Sequence, residues 1–131
     1  SPKKTFWHGH SFTANPLGCA AANASLDLLE KDPIKYLSFE EKHLSHLKKI
    51  KKLPFVKNIR VTGTIAAFDI EIGKNEGYLN NVGKRIKALS IKKGLFIRPL
   101  GNVIYLLPPL CITDNQLEKS YRIIFEILSD L

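Results

Sequence analysis

The first side chains that could do chemistry lie in a short polar segment near the start of the chain. Ser11 precedes the pair Asn15-Pro16 by one turn's length of chain. Asn is a good N-cap and Pro suits the first helical position, so a helix is predicted to begin here. A hydroxyl and backbone donors near a helix start suit a phosphate group. The segment therefore suggests phosphate binding at Ser11, although a serine that makes only local turn bonds is the commoner case.

Arg98 is the second candidate, because it lies between a predicted strand over residues 95–97 and Pro99. Pro99 fixes its own φ and biases Arg98 toward an extended backbone, which stiffens the platform beneath the side chain. A guanidinium is a planar fork that binds a carboxylate through two parallel hydrogen bonds. Arg98 is thus a candidate carboxylate site. The alternative is an ordinary exposed arginine at a sheet edge.

The histidines are predicted to be structural. His8 and His10 flank Gly9, but two ligands without Cys, Asp or Glu at suitable spacing do not make a metal site. His43 and His46 lie three residues apart on a predicted helix among lysines, as surface or packing residues do. No metal site and no catalytic residue is expected.

Two other polar pairs also receive structural interpretations. Asp69 and Glu71 alternate with apolar residues, so both are expected to face solvent. Cys19 and Cys111 lie far apart among apolar residues, which favours buried free thiols over a disulfide. This cysteine usage indicates a reducing compartment, and we expect the cytoplasm.

Length and charge limit the function classes. The chain has 131 residues, 44% hydrophobic and 24% charged, as in one soluble domain. No apolar run approaches the roughly 20 residues that span a membrane. The formal net charge is +8, but many lysines fall in predicted amphipathic helices, where lysines usually form a solvated face. A free-standing basic module that binds nucleic acid or another acidic partner stays open as an alternative.

The hydrophobic spacing predicts the elements that must position these residues. After the helix that starts at Pro16, a second helix is expected from Pro33 to near Pro54. Its apolar face is predicted at Ile34, Leu37, His43 or Leu44, Leu47 and Ile50. Strands are predicted near 57–61 and 65–72, with a break over 62–64.

The second half of the chain repeats this alternation. A helix is predicted through Leu79, Val82, Ile86 and Leu89, with Gly94 at its end. Two short strands are expected around a turn at residues 100–102, and a last helix begins at the capping-box pair Thr113 and Gln116. The predicted fold class is α+β, with a small, mostly antiparallel sheet packed against helices.

Two stretches, HGHSFTANPLGCAAANASLDLL and GLFIRPLGNVIYLLPPLCIT, resemble segments of the class III pyridoxal-phosphate-dependent aminotransferases. The resemblance implies pyridoxal 5′-phosphate as cofactor and the small C-terminal domain of that fold. It favours members that transfer an amino group from S-adenosylmethionine to 8-amino-7-oxononanoate in biotin synthesis, with other ω-aminotransferases as alternatives. A large cofactor domain with the reactive lysine would lie outside this chain, so we expect the chain alone to be inactive and the intact enzyme to be a homodimer.

The resemblance also implies roles for four residues. Ser11, where most relatives carry Thr, would contact the cofactor phosphate of a neighbouring subunit, and the backbone of Gly9 would line the substrate pocket. Arg98 would bind the substrate carboxylate, and Tyr105 would either line the substrate site or serve only as a sheet-face aromatic. These roles divide the chain into a substrate and cofactor-phosphate loop over residues 1–15 and a small domain over residues 16–131.

Overall fold

The computed structural model describes residues 9, 11–33, 37–72 and 81–131. These residues fall into two compact units, which divide at residue 33 and are described separately. Some residues named above lie outside the described ranges, namely His8, His10, Ile34 and Leu79.

Helix α1, Pro16–Lys31, begins as predicted in the first unit. The side-chain oxygen of Asn15 accepts hydrogen bonds from the N–H groups of Leu17, at 2.9 Å, and Gly18, at 3.3 Å. Pro16 occupies the first helical position, and Asp32 is the C-cap. None of the residues of α1 is buried.

Helix α2, Phe39–Ile50, directs one face into the core of the second unit. His43 rather than Leu44 continues this face, and Leu44 is half-exposed. Leu37, predicted on the same face, is instead 79% exposed, because the helix is interrupted at Ser38 and Phe39 takes the first core position of α2. The buried residues recur at helical spacing: Phe39, His43, Leu47 and Ile50.

Helix α3, Val82–Lys92, ends where the sequence predicts, and helix α4, Asp114–Ser129, begins where the sequence predicts. Gly94 follows α3 with φ +78°, a conformation that glycine adopts without strain. The capping box of α4 is complete. The N–H of Gln116 donates to the Thr113 hydroxyl at 3.3 Å, and the N–H of Thr113 donates to the Gln116 side-chain oxygen at 3.0 Å.

The sheet consists of three antiparallel strands in the order β1-β2-β3, in the part of the chain that is described. Gly63, with φ +54°, turns β1 into β2 at the predicted break. The register shifts by a bulge between Lys57 and Arg60. The strands are β1, Val56–Thr62, β2, Ile65–Ile70, and β3, Val103–Leu106.

The predicted strand before the turn at 100–102 is wrong. Residues 95–99 belong to no helix or strand, and Leu100 forms an isolated bridge with Val103. Pro99 holds its φ near −65°, whereas an antiparallel strand needs about −140°, so the pairing does not continue past the bridge.

The core lies between one face of the sheet and helices α2, α3 and α4. On β2, Ala66, Phe68 and Ile70 alternate into this core and are 0% exposed. Ile104 and Leu106 of β3 join them on the same face. The α+β class with a mostly antiparallel sheet is therefore confirmed. No helix in the described ranges is long and apolar enough to cross a membrane.

A buried histidine joins three elements of this core. His43 Nε2 lies 3.0 Å from the Thr64 carbonyl oxygen, and His43 Nδ1 lies 2.6 Å from the Tyr121 hydroxyl. Since a carbonyl only accepts, Nε2 carries the proton, and Nδ1 accepts from Tyr121 in the neutral ring. Burial lowers the pKa of His43, which keeps it neutral. The predicted packing role is confirmed for His43.

This arrangement predicts a pH-dependent stability. Because the pKa of His43 is lowered in the folded chain, the unfolded chain takes up the proton first. The free energy of unfolding should therefore be constant above pH about 6.5, the ordinary histidine value, and fall as the pH drops below it. Urea unfolding between pH 7.5 and 5.5 measures this. His43→Gln should reduce the dependence and leave the part that comes from His46, whose pKa is also lowered by burial.

The matched control is Tyr121→Phe, which removes the hydroxyl but leaves the histidine. It should lower the free energy of unfolding by about 1–3 kcal/mol and retain the pH dependence. An unchanged pH dependence in His43→Gln would contradict the assignment.

Candidate functional site

The segment that carries Arg98 starts at a well-defined helix end. The N–H of Leu95 donates to the carbonyl of Ser90 at 2.8 Å, and the N–H of Gly94 donates to the carbonyl of Ile91 at 2.9 Å. This pair of bonds, with glycine at positive φ, is a Schellman motif. It ends α3 sharply, just before the irregular residues 95–99 that carry Arg98.

The turn after Arg98 is fixed by hydrogen bonds on both sides. Leu100 and Val103 exchange two backbone hydrogen bonds, each 2.9 Å long, around Gly101, whose φ is +62°. A two-residue turn of this kind favours glycine at its first central position. Arg98 therefore stands two residues before a rigid turn.

Asn102 connects this turn to the central strand, a role that its sequence position does not predict. The Asn102 carbonyl accepts from the Ile70 N–H at 2.9 Å, and the Asn102 side-chain amide donates to the Ile70 carbonyl at 3.2 Å. Asn102 is only 8% exposed. The sole signal in the sequence is its position after Gly101, and that position indicates a turn but not its distant partner.

Arg98 and Tyr105 both line one cleft. The cleft has a volume of about 410 Å³, and most of its wall is apolar. Arg98 is exposed and Tyr105 half-buried. Within the described ranges, Arg98 has no carboxylate partner, unlike Arg60, which pairs with Asp69 at 2.9 Å. Other residues that line the cleft are Phe96, Ile97, Leu107, Pro108, Ile112 and Ser120.

The arrangement offers a cation at the edge of a hydrocarbon-lined groove. A guanidinium that is not engaged by a protein carboxylate is available for a carboxylate from a ligand. The apolar wall suits a flexible hydrocarbon chain attached to that group. Chemically, the cleft can bind and orient an amphiphilic acid.

Ser11 lies in the first unit, in an exposed turn over residues 11–14, and Gly9 is exposed as well. The N–H groups at the start of α1 are already satisfied, because those of Leu17 and Gly18 donate to the Asn15 side chain and that of Cys19 donates to the Asn15 carbonyl. A phosphate contact from this turn would therefore use groups of the turn itself, such as the Ser11 hydroxyl, rather than the N–H groups of the helix end.

Two structural expectations are wrong. Cys19 and Cys111 are both exposed free thiols rather than buried ones, because α1 buries none of its residues and Cys111 lies in an exposed turn before α4. Asp69 does not face solvent freely. Its side chain is 18% exposed and accepts hydrogen bonds from Arg60 and Asn58, each at 2.9 Å. The bulge in β1 brings these two donors together above Asp69.

Comparison with known proteins identifies the family. Residues 1–128 match the family model described as aminotransferase class-III, so the chain belongs to the class III aminotransferases. The family expected from the two sequence stretches is thus confirmed. These aminotransferases use pyridoxal phosphate.

The relatives then narrow the choice within the family. The chain is 46% identical over 131 residues to the adenosylmethionine-8-amino-7-oxononanoate aminotransferase of Synechococcus elongatus. It is 40% identical over 134 residues to the protein of the same name from Helicobacter pylori. The matches cover 100% and 98% of this chain but only 31% and 30% of the relatives, so the chain spans about a third of their length.

Solved structures give the same result for the fold. The adenosylmethionine-8-amino-7-oxononanoate aminotransferase of Methanocaldococcus jannaschii superposes with a TM-score of 0.83 at 29% identity. The superposition covers 98% of this chain and 31% of the Methanocaldococcus jannaschii chain. The acetylornithine aminotransferase of Elizabethkingia anophelis superposes with a TM-score of 0.80, also at 29% identity, over 98% of this chain and 32% of its own.

The geometry of the turn predicts a stability effect of Asn102. Replacing Asn102 by Ala leaves the Ile70 carbonyl without the side-chain donor and should lower the free energy of unfolding by about 1–3 kcal/mol. Urea titration of the chain measures this. Asn115→Ala, at an exposed position of α4, is the control and should change the stability by no more than about 0.5 kcal/mol. Equal stabilities of the two variants would rule out the anchoring role.

Proposed function

We propose that this chain is the carboxyl-terminal part of an aminotransferase that transfers an amino group from S-adenosylmethionine to 8-amino-7-oxononanoate. The observation that carries the proposal is the cleft with Arg98 at its edge. The proposed acceptor has a carboxylate at one end, a hydrocarbon chain in the middle and an amino ketone at the other end. Such a molecule matches a guanidinium beside an apolar groove, and the names of the relatives supply the specific substrates.

In this proposal Arg98 and Tyr105 bind and orient the acceptor. The guanidinium binds the carboxylate through two parallel hydrogen bonds, which fixes both the position and the direction of the chain that follows. The apolar wall excludes water from that chain, and Tyr105 limits the width of the cleft. Binding energy from this remote end holds the reacting end in place.

In this proposal Ser11 contacts the cofactor and Gly9 lines the substrate pocket. Pyridoxal phosphate, when bound, supplies the electron sink through which the amino group is moved between substrates. The exposed Ser11 hydroxyl fits its phosphate as a hydrogen-bond donor, and the Gly9 backbone lines the substrate pocket. Following the family resemblance, the phosphate belongs to a neighbouring subunit, so the intact protein is a homodimer. The loop over residues 1–15 and the domain over 16–131 divide these tasks.

The first test is Arg98→Ala in the full-length protein. The KM for 8-amino-7-oxononanoate should rise, and kcat/KM should fall by about one to two decades. This fall corresponds to the loss of a hydrogen bond to a charged group, which contributes about 1.5–3 kcal/mol. Arg98→Lys should recover part of the loss, because an ammonium keeps the charge but not the fork. Steady-state kinetics with each substrate measures this.

Arg122→Ala is the matched control, since Arg122 is an exposed arginine on α4. Its kinetics should equal those of the unmodified protein. Unchanged acceptor kinetics in Arg98→Ala would remove the assignment and with it the main support for this substrate.

The second test concerns Ser11. Ser11→Ala should weaken retention of pyridoxal phosphate by about one to two decades, and Ser11→Thr should have little effect because the hydroxyl is restored. Cofactor absorbance after dialysis measures retention. Thr13→Ala, in the same turn, is the control for a general disturbance of the loop. Full retention in Ser11→Ala would reduce Ser11 to a structural residue of the turn.

A further inference from the structure

Gly83, in the first turn of α3, packs directly against the turn that follows Arg98. A Cβ atom added at Gly83 would overlap the Gly101 carbonyl oxygen and would lie 2.9 Å from the Pro99 Cβ atom. Gly63 and Gly94, by contrast, have no atom within 4 Å of an added Cβ. Gly83 is therefore a glycine because the backbone of the neighbouring turn occupies the space of a side chain.

Helix propensity does not explain why residue 83 is a glycine. Glycine is a poorer helix former than alanine, so the helix itself does not favour it at this buried position. The obstacle to a side chain is mainly backbone, the Gly101 carbonyl group, which cannot rotate away as a side chain can. The close approach of helix and turn thus depends on the missing Cβ.

This contact completes a clamp on the turn. On one side, Asn102 is bonded to Ile70 of β2 through both its backbone and its side chain. On the other side, Pro99 and Gly101 lie against Gly83. Arg98 is bonded directly to Pro99, whose ring restricts the backbone. The contacts on the two sides of the turn therefore fix the position of the Arg98 Cα atom, from which the side chain extends.

We propose that Gly83 is a positioning residue for substrate binding: it sets the position of the turn at residues 99–101 and thereby the distance of the Arg98 guanidinium from the substrate carboxylate. The proposal rests on the carboxylate-binding role of Arg98. A side chain at residue 83 pushes the turn away from α3 and moves Arg98 with it. Displacements of about 1 Å at a positioning group can cost up to two decades in rate, and we expect an effect of about tenfold.

The test compares Gly83→Ala, Arg98→Ala and the double variant in the full-length protein. Gly83→Ala should raise the KM for 8-amino-7-oxononanoate about tenfold, with kcat and the KM for S-adenosylmethionine nearly unchanged. In the Arg98→Ala background the same substitution should add little, because the group that it moves is gone. Such non-additivity is the sign of two residues that act through one contact.

Gly63→Ala is the matched control. Gly63 has φ +54°, so alanine there strains the turn between β1 and β2 and lowers stability without approaching residues 99–101. Its acceptor KM should stay at the unmodified value. If Gly83→Ala does not fold, Pro99→Gly loosens the same contact from the turn side without a clash, and it should raise the acceptor KM in the same Arg98-dependent way.

The outcomes separate the two proposals. An acceptor KM that rises in Arg98→Ala, but not in Gly83→Ala or Pro99→Gly, overturns the role of Gly83 and leaves the proposed function standing. Equal effects of Gly83→Ala with and without Arg98, or on both substrates, also overturn it. An unchanged KM in Arg98→Ala itself overturns the proposed function, and the positioning role falls with it.

Discussion

The central strand β2 is the constraint on which the second unit depends. It is hydrogen-bonded to β1 on one side and to β3 on the other, so its backbone groups are satisfied without water. Phe68 and Ile70 project from it into the core with no exposed surface. This strand is held on both edges by hydrogen bonds and on one face by packing. It therefore fixes the position of the elements that contact it. The helices then cover the apolar face of this strand.

The candidate site is an extension of the same strand. At the end of β2, the backbone groups of Ile70 bond to Asn102 rather than to another strand. The turn that carries Pro99 is thus anchored to the most buried strand of the unit. Arg98 itself stays exposed at the edge of the cleft, so a rigid base supports an accessible charge. This is the arrangement that precise binding of a ligand carboxylate needs.

The buried polar contacts and the surface charge have different roles. His43, Tyr121 and Thr64 connect α2, α4 and the turn between β1 and β2 through short hydrogen bonds inside the core. The ion pairs of Lys42 with Asp114 and of Lys93 with Glu126 lie at the surface, where such pairs contribute little to stability. The net charge of +8 therefore does not explain the fold. The functional interpretation depends on the cleft beside Arg98 and on membership of the class III aminotransferases, and not on the charge.

The sequence by itself determined those features whose cause is local. The N-cap at Asn15, the capping box at Thr113 and the glycine end of α3 each depend on residues at most a few positions apart, and all three were predicted correctly. The family was also visible, because its two motifs are continuous stretches of chain. Arg98 and Tyr105 were selected on that basis, and the structure brings them to one cleft.

Only the tertiary structure decided the features whose cause lies elsewhere in the chain. The contact of Gly83 with residues 99–101 and the bonds from Asn102 to Ile70 join segments that no spacing rule connects. For the same reason the strand predicted over residues 95–97 was wrong, since a strand needs a partner strand and these residues pair with none in the described part of the chain. The exposure of Cys19 was missed as well, because apolar neighbours in sequence do not show which face of a helix is covered. Local patterns decide how a segment folds, whereas packing decides what it contacts.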